Sequence, residues 1–137
     1  MNVITFVCPL PVLPEYMQDA LEGIVLVNMR YLRDMARLGT PIPDLYQAGV
    51  HYQAERIECF APIYVVQQRG WGDCDDLSAW LTAELRLKGL NAMPYVRPSK
   101  SGVKGHYHAL VKVETSDRGW VEVDPCVKLG MKGRPTE

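Results

Sequence analysis

At 137 residues the chain has the length of a single domain, and 47% hydrophobic against 23% charged residues is the balance of a folded globular protein rather than a disordered one. A net charge of -1 and a pI near 6.3, with Lys and Arg scattered along the chain, exclude the basic footprint of a nucleic-acid partner. The longest apolar runs, such as Ile24 to Val27, are too short to cross a bilayer, and no basic stretch opens a secretory signal. The expected location is the cytoplasm, with no membrane partner.

In chain order, Val3 to Val7 is a short β-favouring run closed by Pro9, Pro11 and Pro14. From Glu15 to Leu38 the apolar residues Met17, Leu21, Ile24, Val25, Tyr31, Leu32, Met35 and Leu38 recur at spacings of three and four. This predicts a long amphipathic helix, interrupted by the polar Asn28 and stopped by Gly39. Thr40 to Asp44, with two prolines, is a loop. Tyr46 to Glu55 has no firm period. Cys59 to Val66 reads equally as an irregular strand or a short helix around Pro62. After the break at Gly70 to Asp73, residues Leu77, Trp80, Leu81, Leu85 and Leu87 predict a second helix ended at Lys88 and Gly89, with Cys74 in its first turn. Three β runs follow: Ala92 to Val96, Tyr107 to Val113 and Trp120 to Val123, the last two joined by a hairpin over Glu114 to Gly119. Helices followed by an antiparallel sheet make an α+β arrangement. The tail beyond residue 131 is expected to be loosely held.

Four cysteines are present: Cys8, Cys59, Cys74 and Cys126. A reducing cytosol argues against disulfides, and the apolar neighbours of Cys8 and Cys59 suggest small buried hydrophobes. Cys74 differs. It precedes the apolar stripe of its helix and stands among Asp73, Asp75 and Asp76, a setting that argues for exposure. Helix N-H groups favour a thiolate there, whereas the aspartates oppose one. A thiol nucleophile needs an imidazole to manage its proton and a carboxylate to fix the imidazole's tautomer. His108 and Asp124, on adjacent predicted strands, suit those two roles, and His106 shares the His108 face of its strand and is a second candidate. Cys74, His106 and His108 with Asp124 or Cys126 also contain enough donor types for zinc, but no Cys-x-x-Cys or His-Glu-x-x-His spacing is present, so no metal or other cofactor is assigned. For the oxyanion of an attacked carbonyl, the Cys74 backbone N-H is the first donor. Gln67, Gln68 or the Trp71 indole could supply the second, with Gln68 preferred and Trp71 the aromatic residue nearest the nucleophile.

The segment from Gly72 to Leu90 (GDCDDLSAWLTAELRLKGL) resembles the nucleophile helix of transglutaminase-like cysteine proteins of the papain-like fold. Tyr107 to Val111 (YHALV) and Gly119 to Pro125 (GWVEVDP) resemble the histidine and aspartate strands that follow in that superfamily. The resemblance selects His108 over His106 and implies a Cys74-His108-Asp124 catalytic triad. Its implied core covers about residues 41 to 131 of one transglutaminase-like domain, with the helices packed on an antiparallel sheet. Pro43 to Glu55 and Asp124 to Met131 further resemble small transglutaminase-like proteins encoded among bacteriophage structural genes. That likeness implies a protein or peptide substrate, a bacterial host cytoplasm or a virion as the location, and other phage structural proteins as partners. Two positions depart from the family pattern: Leu110 replaces an aromatic residue two places after the histidine, and Cys126 follows Asp-Pro where Ser or Thr is common. Two functions from different classes are therefore expected: thiol-dependent amide chemistry (peptidase, amidase or transamidase), or a virion or assembly protein that uses the fold as a binding module.

Overall fold

In the computed structural model the described residues are 4, 7, 9–11, 13–55, 59–98 and 107–131. The expected first strand and the tail beyond 131 fall largely or wholly outside them, as do Cys8 and His106. The long helix α1 spans Pro14–Arg37, one residue earlier at each end than the periodicity predicts. Pro14 sits in its first turn, where a missing N-H costs nothing. Met17, Leu21, Val25 and Asn28 form its buried stripe. The C-terminus closes as a Schellman motif: Gly39 takes a φ of 81°, and the N-H groups of Gly39 and Thr40 donate to the carbonyls of Ala36 and Met35.

A 3-10 turn, Leu45–Gln47, and a two-residue strand, β1 (His51–Tyr52), occupy the stretch without a period. The ambiguous segment resolves as helix α2, Ile63–Arg69. Its N-cap is Pro62, which offers no side-chain acceptor. That role passes to Asn28 of α1, fully buried, whose Oδ1 accepts the Ile63 N-H at 2.9 Å. The polar interruption in the first helix is thus the cap of the second. Cys59 lies upstream of the buried side chains Ala61, Ile63 and Val66 and is exposed, which corrects the expectation of burial: packing on the core begins with Phe60, the next residue.

Strand β2 (Trp71–Gly72) pairs in parallel with β1, His51 opposite Trp71 and Tyr52 opposite Gly72. A side chain at Gly72 would be crowded, because a Cβ would meet Asp76 Cβ and Leu77 Cδ2 at 3.1 Å. Helix α3 spans Cys74–Leu87 and buries Leu77, Ala79, Trp80, Leu81 and Ala83. It ends as α1 does, with Gly89 at φ 90° and Leu90 N-H donating to the Leu85 carbonyl.

Strands β3 (Ala92–Pro98), β4 (Tyr107–Thr115) and β5 (Gly119–Val123) form an antiparallel sheet in that order. The turn between β4 and β5 has Gly119 at φ 66°, and Thr115 Oγ1 accepts the Arg118 N-H at 3.1 Å. The free edge of β3 is covered by α1, whose Gln18 donates to the Pro94 carbonyl and accepts the Val96 N-H at 2.9 Å. Val96 and Ala109 pack with Met17, Leu21, Val25, Ala79 and Ala83, while Val111 and Val113 pack with Leu45, Leu77, Trp80 and Cys126. The α+β arrangement of helices on an antiparallel sheet is therefore present, with α3 at its centre. A short helix α4, Pro125–Lys128, follows β5. Among the described residues no helix is long and apolar enough to cross a membrane.

Candidate active site

The start of α3 is built by an aspartate at its N-cap. Asp73 accepts the N-H groups of Asp75 and Asp76 at 3.1 and 3.2 Å, and Asp76 returns the contact by accepting the Asp73 N-H at 3.2 Å, which makes a reciprocal capping box. Asp76 is buried, and its carboxylate also accepts the Ala61 N-H at 2.7 Å and Arg69 Nη2 at 2.8 Å. Arg69 reaches Glu55 at 3.1 Å, donates from Nε to the Trp71 carbonyl at 2.9 Å and stacks 3.6 Å from the Trp71 ring centroid. This frame fixes the backbone on both sides of Cys74. Glu55 and Asp76 pair with Arg69, and one oxygen each of Glu55, Asp73 and Asp76 lie within 4.8 Å of one another. Burial and the adjacent Asp73 push the Asp76 carboxyl up to about 9, against the N-H groups of Ala61 and Asp73. The Arg69 contact favours the charged form, but three carboxyls within 4.8 Å of one another with one guanidinium beside two of them leave an excess of negative charge, which favours a retained proton.

Asp73, Asp75 and Asp76 are all buried, contrary to the exposed setting that their charge suggested. Hydrogen bonds supply the reason: capping satisfies Asp73 and Asp76, and Asp75 accepts the Tyr107 hydroxyl at 3.1 Å. Cys74 is drawn in with them and is only partly exposed. Its thiol is pushed well above its ordinary value by burial first, then by Asp75, Cys126 and Asp73, with the Ala109 N-H favouring the charged form. Burial and the surrounding acidic groups thus favour the neutral thiol at Cys74, against the helix N-terminus.

The second half of the site follows from where β5 stops. Its pairing with β4 ends at Val123 opposite Val111, so β4 from Tyr107 to Leu110 has no β5 neighbour, and the chain turns at Asp124 into α4. In that gap the Ala109 N-H faces Cys74. His108, the preceding residue, is 4% exposed, and its Nε2 lies 2.8 Å from Asp124 Oδ2. Asp124 Oδ1 accepts the Cys126 N-H at 3.0 Å, capping α4. Burial raises the Asp124 carboxyl, but the His108 hydrogen bond and charge, with the N-H groups of Cys126 and Val127, outweigh it and hold the group below its ordinary value. The buried Cys126 thiol also lies against Asp124 and is pushed far up, chiefly by burial. With Nε2 engaged by Asp124, the imidazole nitrogen left for a thiol is Nδ1. Among the described residues Cys74 and His108 do not form a direct hydrogen bond; they are linked through the backbone of residues 108 and 109.

The remaining candidates separate. Gln68 is on the exposed side of α2, and Gln67 accepts the Tyr31 hydroxyl at 3.5 Å. Trp71 is held under Arg69. His106 lies outside the described residues. Sequence reasoning passed over Tyr52, whose half-buried phenol is pushed up to about 12 by burial first and then by Cys74, Cys126, Asp73 and Asp124. The β1–β2 pairing and the Tyr52 N-H bond to the Leu129 carbonyl bring it there, and nothing in its local sequence announces either.

A scan against protein-family models found no match, and neither did a search of curated proteins. Among solved structures the chain is similar to a proposed cysteine protease from Cytophaga hutchinsonii, at 16% identity and a TM-score of 0.47, over 84% of this chain and 40% of that one. It is also similar to the periplasmic domain of TgpA from Pseudomonas aeruginosa bound to ethylmercury, at 17% identity and a TM-score of 0.44, over 88% of this chain and 47% of that one. The chain thus spans less than half the length of either structure.

Proposed function

We propose that the protein carries out thiol-dependent amide chemistry, with Cys74 as nucleophile, His108 as base and Asp124 as the carboxylate that orients His108. The observation that carries this reading is the 2.8 Å contact between His108 Nε2 and Asp124 Oδ2, which leaves Nδ1 as the nitrogen for the thiol, beside the β4 gap where Cys74 faces the Ala109 N-H. Because burial, Asp75, Cys126 and Asp73 raise the Cys74 thiol, His108 acts as a general base during attack rather than holding a preformed thiolate. Nδ1 takes the thiol proton as sulfur bonds to the carbonyl carbon. The same proton then passes to the departing amine, and a thioester remains on Cys74. Water as acceptor gives a peptidase or amidase; an amine gives a transamidase. The setting we infer, from the resemblance of residues 43–55 and 124–131 to phage-encoded proteins, is phage particle assembly with a protein or peptide substrate.

A second reading, a virion or assembly protein that uses this domain as a binding module, is favoured by the raised Cys74 thiol and the absence of a direct Cys74–His108 hydrogen bond among the described residues. Acylation by p-nitrophenyl acetate, followed by mass spectrometry of the Cys74 peptide, separates the two. The enzyme reading expects an acyl group on Cys74 that forms at least about 10²-fold faster than in His108→Ala. Equal, slow acylation of the two proteins refutes it in favour of the binding module.

A further inference from the structure

We infer that Tyr52 is a catalytic residue of the Cys74 site, its phenol O-H donating the second hydrogen bond to the oxyanion formed when Cys74 attacks a carbonyl. This rests on the thiol-nucleophile reading above. Attack moves the carbonyl π electrons onto oxygen as the sulfur–carbon bond forms, and two donors aimed at that oxygen are the usual requirement. The Cys74 backbone N-H, in the first turn of α3, provides one. Of the candidates from α2 and β2, Gln68 is exposed, the Gln67 amide oxygen meets the Tyr31 hydroxyl at 3.5 Å and the Trp71 ring is stacked under Arg69.

Tyr52 is delivered from β1. Its residue pairs with Gly72, two positions before the nucleophile, and the Gln53 N-H donates to the Gly72 carbonyl at 2.9 Å. Its own N-H donates to the Leu129 carbonyl at 2.9 Å, which ties the same residue to the end of α4 just past Asp124 and Cys126. Tyr52 is therefore clamped by its backbone between the two segments that carry the nucleophile and the orienting carboxylate. Its side chain packs half-buried on the cluster that holds Leu77 and Cys126, and Cys74 packs on that cluster too. Among the described residues its hydroxyl makes no hydrogen bond, so the donor is uncommitted. Burial and the surrounding acidic groups keep the phenol protonated, with a pKa of about 12, and hence a donor at neutral pH.

Two reactions of one thiol test the role. Acylation by p-nitrophenyl acetate passes through an oxyanion; alkylation by iodoacetamide is a direct displacement at carbon and does not. In Tyr52→Phe, Cys74 acylation is expected to fall about 10²-fold while Cys74 alkylation stays within about twofold of wild type, the loss expected for one oxyanion donor. Acylation within threefold of wild type overturns the assignment of Tyr52 and leaves the thiol mechanism intact. A parallel fall in alkylation also overturns it, since the residue then acts on the thiol or on the fold. Wild-type protein that fails to acylate at Cys74 overturns both readings together.

Discussion

Replacing Asp124 by Asn changes one atom of the site and reverses a proton. In the wild type the two carboxylate oxygens divide the work, Oδ1 accepting the Cys126 N-H at 3.0 Å and Oδ2 facing His108 Nε2 at 2.8 Å. An amide has one acceptor. If its oxygen stays on the Cys126 N-H, where a buried donor demands it, the NH2 group faces Nε2 and forces that nitrogen to be the acceptor. The imidazole proton then moves to Nδ1, the nitrogen needed to take the thiol proton, and the base is blocked. Stability changes little, because the cap is kept: the cost is under about 1 kcal/mol, and the melting temperature shifts by less than roughly 5 °C. Acylation of Cys74 should fall by about 10³- to 10⁴-fold, the scale of a wrong tautomer in a triad. Asp124→Ala removes the cap as well and should lose about 1 to 3 kcal/mol through the unpaired Cys126 N-H. The assay is the p-nitrophenolate release rate, read beside thermal unfolding of both variants. Asp124→Asn protein that melts like wild type and acylates within tenfold of it would falsify the role given to this carboxylate.

Asn28→Ala should destabilise the fold without touching the site: it strips the Ile63 N-H of its acceptor and leaves a small void, together about 2 to 4 kcal/mol, measurable as a drop in the urea midpoint. A change below about 0.5 kcal/mol would mean that Asn28 does not cap α2. The carboxyl cluster gives a pH dependence. Asp76 is held up to about 9 in the folded state, so above the ordinary carboxylate range the folded protein keeps a proton that the unfolded chain has lost, and this group's contribution falls as pH rises. Asp124 has the opposite sign: its folded value is depressed, so its contribution is present above the ordinary carboxylate range and is lost as pH falls through the folded value. Between about pH 5 and 7.5 the Asp76 effect alone operates of these two, so the urea midpoint should be higher at pH 5, and Asp76→Asn should flatten the difference. An unchanged slope in Asp76→Asn would show that the proton is held elsewhere.

Local pattern determined much of this protein. The stripe of α1, the start of α3 at Cys74, the glycine stops at Gly39 and Gly89 and the β4–β5 hairpin were all legible because each depends on neighbours within four residues or on one short turn. His108 and Asp124 were legible as candidates on adjacent strands, but the pattern left His106 open and the resemblance to transglutaminase-like proteins chose His108; their 2.8 Å contact forms just past the end of the paired register. Tertiary structure decided what depends on distant partners. Asn28 looks like a flaw in an apolar stripe until α2 arrives with an uncapped N-terminus, and Cys59 to Val66 stays ambiguous until that cap selects helix. Acidic neighbours around Cys74 imply exposure in sequence, yet Arg69, the Ala61 N-H and the Tyr107 hydroxyl make their burial affordable, and that burial raises the thiol. Tyr52 enters the site through long-range backbone contacts, a two-residue parallel pairing between segments 20 positions apart, His51 with Trp71, and its N-H bond to the Leu129 carbonyl. Sequence thus nominated the residues proposed for the chemistry, whereas the long-range packing decided their burial and their company, because desolvation and hydrogen bonding depend on what folds over a group rather than on what precedes it.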